Sequence, residues 1–175
     1  MNTTETLRFD SVKVKFSMWQ VDLEANLCGE EAETHVLSIT MHCPGLDVQV
    51  SFIAQITKTF NQSFSVVEHL TLEQEVHRLS PDGHDEVDRI EWCKLLSSFS
   101  NVKTLCVAHG FVERLSRYLQ LDDGELPLEL LPELQELTYF GGGDTSDAFT
   151  SFIDSRQNVG RPITLIRRDP SPVPA

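Results

Sequence analysis

The chain has 175 residues, 40% of them hydrophobic, which is enough for one folded domain and too few for two comfortable ones. Twenty-seven acidic against 14 basic side chains give a net charge of −13, so the surface repels both nucleic-acid phosphates and an anionic membrane face. No run approaches the roughly 18 to 20 apolar residues of a membrane span, no basic region precedes an apolar stretch at the N-terminus as in a secretory signal, and four irregularly spaced cysteines without a CxxC pair fit reduced thiols in an intracellular protein, cytoplasmic or nuclear.

Residues 7–23 alternate Val12, Val14, Phe16 and Met18, the period of one or two strands. Residues 24–34 (EANLCGEEAET) read as a polar loop. Val36-Leu-Ser-Ile39-Thr-Met41 reads as a strand, and Pro44-Gly45 as a turn. Residues 47–60 predict a helix with Val48, Phe52, Ile53, Ile56 and Phe60 near one face. Phe64-Ser-Val-Val67-Glu-His-Leu70-Thr-Leu72 then predicts a strand entry and strand. Residues 86–98 form a second helical pattern, striped by Ile90, Cys93 and Leu96 with Trp92, Leu95 and Phe99 beside them, and with Ser80 and Asp85 as candidate caps. Phe99-Ser-Asn-Val102-Lys-Thr-Leu105-Cys-Val107 follows as a strand. Residues 110–120 place Phe111, Val112, Leu115, Tyr118 and Leu119 on one helical face. Leu131-Pro-Glu-Leu134-Gln-Glu-Leu137-Thr-Tyr139 is the next strand segment. Residues 146–157 predict a helix grouping Phe149, Phe152 and Ile153, after Gly141-Gly142-Gly143 and the capping candidates Asp144 and Thr145. Ile163-Thr-Leu165-Ile166 is a last short strand, and Pro170, Pro172 and Pro174 stop it, because proline lacks a donor.

The segments at 64–72, 99–107 and 131–139 share one pattern. Each ends on L-x-x-L-x-L or its apolar equivalent, the strand signature of a leucine-rich repeat. Val67 and Val102 stand 35 residues apart, and Val102 and Leu134 stand 32 apart. The segment at 36–41 is a looser copy, 31 residues before Val67, and 163–166 is a degenerate last one. Strands alternating with helices predict an α/β fold with parallel strands and crossover helices. A shared pattern at near-constant spacing favours a short leucine-rich-repeat-like solenoid over a compact doubly wound sheet. The expected organisation is one domain over 1–168, with N-terminal strands and loop in 1–34, repeats in 35–168, and a disordered Pro-rich tail over 169–175.

Trp92-Cys-Lys-Leu-Leu, Phe99-Ser-Asn-Val-Lys-Thr-Leu105, Leu130-Leu-Pro-Glu-Leu-Gln-Glu-Leu137 and Phe152-Ile-Asp-Ser-Arg-Gln157 with Gly160-Arg-Pro162 resemble the C-terminal leucine-rich-repeat region of F-box proteins abundant in mushroom-forming fungi. Asp47-Val-Gln-Val50 and Ser65-Val-Val-Glu68 look similar to the same group. In that family an N-terminal helical F-box hooks the protein to a cullin-RING ubiquitin ligase, and the repeats hold a target. No helical F-box pattern with an early Leu-Pro stands near Met1. The resemblance therefore implies an isolated repeat portion, from a truncated gene product or a gene model lacking its 5′ exon. A ubiquitin-ligase adaptor role is expected only if an F-box is supplied upstream.

Strand alternation names one surface. If Leu70, Leu72, Leu105, Val107, Leu137 and Tyr139 turn inward, then His69, Thr71, Thr104, Cys106, Glu136 and Thr138 line the opposite, concave face. Such faces bind proteins in solenoids, although these residues include no aromatic or arginine anchor; an ordinary solvated sheet surface competes with that reading. The expectation is a non-enzymatic module for an unknown protein partner, without cofactor or metal and without nucleic-acid or membrane partners. A structural remnant with no partner is the alternative, and an uncharacterised hydrolase using His84 or His109 a weaker one. Asp82-Gly-His84-Asp85-Glu86-Val-Asp88 could gather oxygen ligands for a divalent cation but lacks calcium-loop spacing, and acids suit a helix start. Asp122-Asp123-Gly124-Glu125 reads as a turn in an acidic flank with Glu129, Glu133 and Glu136. Gly141-Gly142-Gly143 has neither the Lys-Ser/Thr of a phosphate loop nor dinucleotide spacing. No G-x-S-x-G elbow and no paired-histidine ligand spacing is present.

Overall fold

Alternating apolar side chains write the first hairpin. In the computed structural model, which describes residues 8–27, 35–75, 85–108, 111–119, 130–140 and 147–168, strand β1 (Phe9–Phe16) buries Phe9, Val12, Val14 and Phe16. The step from Phe9 to Val12 breaks strict alternation because Asp10 is an extra residue. The antiparallel register with β2 (Gln20–Leu27) jumps from Phe9↔Leu27 to Ser11↔Asn26, which is the signature of a β-bulge. Ser17 closes the hairpin, its backbone N–H donating to Gln20 O at 2.9 Å. β3 (His35–His42) pairs antiparallel with β2 on its other side.

Gly45, at φ +86°, makes the turn into helix α1 (Leu46–Thr59), a backbone angle that a side chain would strain. A single helical turn, α2 (Asn61–Phe64), leads into β4 (His69–Gln74). β4 lies beside β1, parallel to it, with Val12↔Leu70 and Val14↔Leu72. From there the chain repeats strand and helix: α3 (Asp85–Ser97), β5 (Thr104–Val107), α4 (Val112–Tyr118), β6 (Glu136–Phe140), α5 (Thr150–Asn158) and β7 (Thr164–Arg168). The seven strands lie in the order β3-β2-β1-β4-β5-β6-β7. The protein is thus an α/β fold with a mostly parallel sheet alternating with helices.

The leucines come into one file. Leu70, Leu105, Leu137 and Leu165 are register partners across the four successive parallel strands, and the first three are fully buried. Each such side chain contributes about 1.5–3 kcal/mol by leaving water. Aromatic rings from the helices and connecting turns pack on this face. Phe9 meets Phe64 at 5.1 Å, Phe16 meets Trp92 at 5.5 Å, Trp92 meets Phe111 at 4.9 Å, and Tyr139 meets Phe149 at 5.7 Å. Arg156 of α5 is fully buried as well. Its guanidinium donates to Leu131 O, Pro132 O and Leu134 O at 3.0, 3.2 and 2.9 Å. These bonds hold the turn before β6, where Leu131 adopts a positive φ of 50°.

Several expectations from the sequence are corrected here. The segment at 36–41 is a strand but not the first of the parallel series: it sits at the far edge of the sheet, antiparallel to β2, and β1 takes the place beside β4. Met18 lies in the hairpin turn, and residues 24–27 extend β2 where a loop was expected. The buried stripe of α1 is Leu46, Gln49, Val50, Ile53, Ala54 and Thr57, so of the predicted face Ile53 is buried, Phe52 and Ile56 are half-buried against the core, and Val48 and Phe60 are exposed. In α3 the core takes Trp92, Leu95 and Leu96, and Ile90 is exposed. α4 and its two flanking residues bury all five predicted side chains, Phe111, Val112, Leu115, Tyr118 and Leu119.

Candidate functional site

Side chains opposite the leucine file form two rows across the parallel strands. One runs Ser11, His69, Thr104, Glu136, Thr164. The other runs Lys13, Thr71, Cys106, Thr138, Ile166. All six residues expected on the open face fall in these two rows. Thr138 is buried; the other five are half-buried or exposed.

The middle of the rows is small and neutral, through Thr71, Thr104, Cys106 and Thr138. Charge stands around it. Lys13 Nζ lies 3.0 Å from Glu73 Oε1, and Thr138 donates its hydroxyl to Glu136 Oε1 at 3.2 Å. Cys106 feels Arg168, Glu73, Lys13 and Glu136, two of each sign. Burial pushes its thiol up from the ordinary value, with those charges acting in both directions after it. A nucleophilic cysteine needs the reverse shift, so Cys106 is placed as a small apolar floor residue.

The entrances of the strands form a ladder of their own. Glu68 N donates to Asp10 O at 2.9 Å, Lys103 N to Glu68 O at 2.9 Å, Gln135 N to Lys103 O at 2.9 Å, and Thr164 N to Gln135 O at 2.8 Å. Asp10, Glu68, Lys103 and Gln135 therefore occupy one level on neighbouring strands. Lys103 Nζ reaches Glu68 Oε1 at 2.6 Å. That hydrogen bond is the main reason the Glu68 carboxyl lies below its usual range, helped by the charges of Lys103 and His69 and opposed by desolvation. On its other side Glu68 meets Asp10 and His69: one donor atom from each of the three lies within 4.8 Å of the others. Sequence spacing could not find this group, since Asp10 stands 58 residues before Glu68. The available signal was the extra residue in the alternation of β1.

Elsewhere an open groove along α1 and α3 is lined by Met41, Asp47, Val48, Phe52 and Glu91 among others. Glu91 is held below its ordinary range by a hydrogen bond from Lys94, with a smaller one from Ser51. Residues 82–84, 109–110, 122–125 and 141–145 lie outside the described residues, as do the side chains of residues 85–88. Among the described residues no helix is long and apolar enough to cross a membrane. No protein-family model, curated protein or solved structure matches the chain.

Proposed function

We propose that this chain is a leucine-rich-repeat-like module that binds another protein on the open face of its parallel sheet and carries out no catalysis of its own. The observation that carries the reading is the pair of in-register rows from β1 to β7. A floor of Thr71, Thr104, Cys106 and Thr138 is flanked by Lys13, Glu73, Glu136 and Arg168. A small neutral floor inside a mixed-charge border suits a partner that supplies the large anchors itself, an aromatic or arginine side chain projecting onto the strands. The net charge of −13 favours a basic protein surface over nucleic acid or anionic lipid. The resemblance to the repeats of fungal F-box proteins points the same way. With an F-box on a preceding segment, the module would present targets to a ubiquitin ligase.

A second reading is a structural remnant without a partner. The absence of any aromatic or arginine residue among the six face residues favours it. One experiment separates the two. Crosslinking pull-down with the folded chain, from a lysate of a mushroom-forming fungus, is compared with a variant carrying Cys106→Arg and with one carrying Lys58→Glu on the outer side of α1. Capture lost in the first and kept in the second supports face binding. No reproducible capture, or capture indifferent to Cys106→Arg, removes it and leaves the remnant.

A further inference from the structure

We propose that Asp10, Glu68 and His69 form a binding site for one divalent transition-metal ion of the zinc class, independent of any protein partner. The donor set is one imidazole nitrogen and two carboxylate oxygens. That mixture suits zinc and its neighbours, whereas calcium and magnesium take oxygen ligands alone.

The fold brings the set together. Ser11 and His69 are register partners, and Glu68 N donates to Asp10 O at 2.9 Å, so the three backbones are fixed relative to one another. The bulge in β1 falls at Asp10, and bulges commonly re-aim a side chain. The donor atoms lie within 4.8 Å of one another. Around a tetrahedral ion with bonds near 2.0–2.1 Å, ligand atoms stand about 3.3 Å apart. The site therefore closes by side-chain rotations of roughly 1.5 Å or less. Asp10 and Glu68 are half-buried and His69 is exposed, so these rotations repack no core. Three protein ligands leave a fourth position for water.

Electrostatics favours a cation at this place. Two carboxylates on adjoining strands repel each other, and one already draws in an ammonium group, Lys103, at 2.6 Å. Lys103 is thus a resident competitor for the metal, and that gives the proposal a signature that a general acidic surface lacks. Removing an ordinary surface cation leaves a specific metal affinity nearly untouched; removing Lys103 strengthens it.

The test uses the full chain stripped by chelator. It is titrated with Co²⁺, followed by its visible absorption, and with Zn²⁺ by calorimetry. One saturable equivalent is expected. His69→Ala and Asp10→Asn each weaken it about tenfold or more. Lys103→Met tightens it several-fold, and Glu133→Gln, away from the group, leaves it unchanged. Should a variant fail to fold, substoichiometric Ni²⁺ added to the wild-type chain decides: amide resonances of Asp10, Ser11 and His69 broaden first. No saturable binding below about 1 mM, affinity unchanged from the wild-type chain in His69→Ala and Asp10→Asn, or broadening centred on another part of the chain such as 82–88 overturns the proposal.

Discussion

Leu105 and Thr104 are neighbours in the chain and opposites in environment. Leu105 is fully buried between its register partners Leu70 and Leu137, while Thr104 lies half-buried on the other face. Leu105→Ala is expected to cost about 2–5 kcal/mol, lost transfer free energy plus a cavity. Thr104→Ala is expected to cost well under half of that, because its small side chain is only half-buried and leaves no core cavity. Denaturant unfolding of the two variants measures both, and equal costs would mean the faces are misassigned. At this scale the alternation of Leu and polar residues made the assignment readable in the sequence. Arg156 was not readable in that way. An arginine on a helix counts as a surface residue in any hydrophobic pattern, and only the three carbonyls of the turn before β6 explain why it is fully buried. Burial disfavours its charged form and is the chief reason its pKa lies below the ordinary arginine value, with the Arg161 charge adding to the effect and Glu133 opposing it.

The helices show where periodicity stops being informative. In α3, both Ile90-Cys93-Leu96 and Trp92-Leu95-Phe99 satisfy helical spacing, so apolar content alone cannot choose between them. The choice is made by what stands opposite. Trp92 fits among Phe16, Phe111 and Tyr118, at ring distances of 5.5, 4.9 and 5.5 Å, and Ile90 faces outward at 55% exposure. Trp92→Ala is therefore expected to cost about 3–5 kcal/mol, and Ile90→Ala about 0.5 kcal/mol or less. Thermal or denaturant unfolding checks the pair, and a larger loss for Ile90 would restore the other face. α1 misled the pattern for a different reason: two polar residues are inside. Gln49 donates from Nε2 to Ser17 O at 2.8 Å and Cys43 O at 2.9 Å, and Thr57 donates its hydroxyl to Ala54 O at 3.1 Å. These bonds offset the burial of the two donor groups, although Gln49 Oε1 has no hydrogen-bond partner among the described residues, and the helix turns its buried stripe away from Val48 and Phe60. The metal-ligand group escaped for a related reason, since Asp10 is brought to Glu68 by strand pairing and not by any local spacing.

At the scale of the molecule, the thirty-odd-residue recurrence correctly announced that β4, β5, β6 and β7 would stand in parallel succession. It also placed the segment at 36–41 before β4, and there the fold departs from it. The segment at 36–41 carries the looser pattern and the right spacing, yet β1 occupies the place, because Val12 and Val14 match Leu70 and Leu72 while Phe9 and Phe16 supply rings to Phe64 and Trp92. Pairing between residues so far apart leaves no periodic trace. The consequence is that the N-terminal meander β1-β2-β3 closes one end of the parallel series. Without it, the backbone donors and acceptors of β4 would face solvent along a flat edge, and Phe64, Leu70, Leu72 and Trp92 would lose cover. An open strand edge beside an apolar surface recruits another chain. Deleting residues 1–43 is therefore expected to produce self-association. Size-exclusion chromatography with light scattering should show mass rising with concentration in the deletion and less so in the full chain. The double substitution Val12→Lys and Val14→Lys, which keeps the chain length but charges the buried side of β1, should move the molecule in the same direction. A deletion that stays folded, with mass no more concentration-dependent than the full chain's, would mean the parallel strands need no such closure.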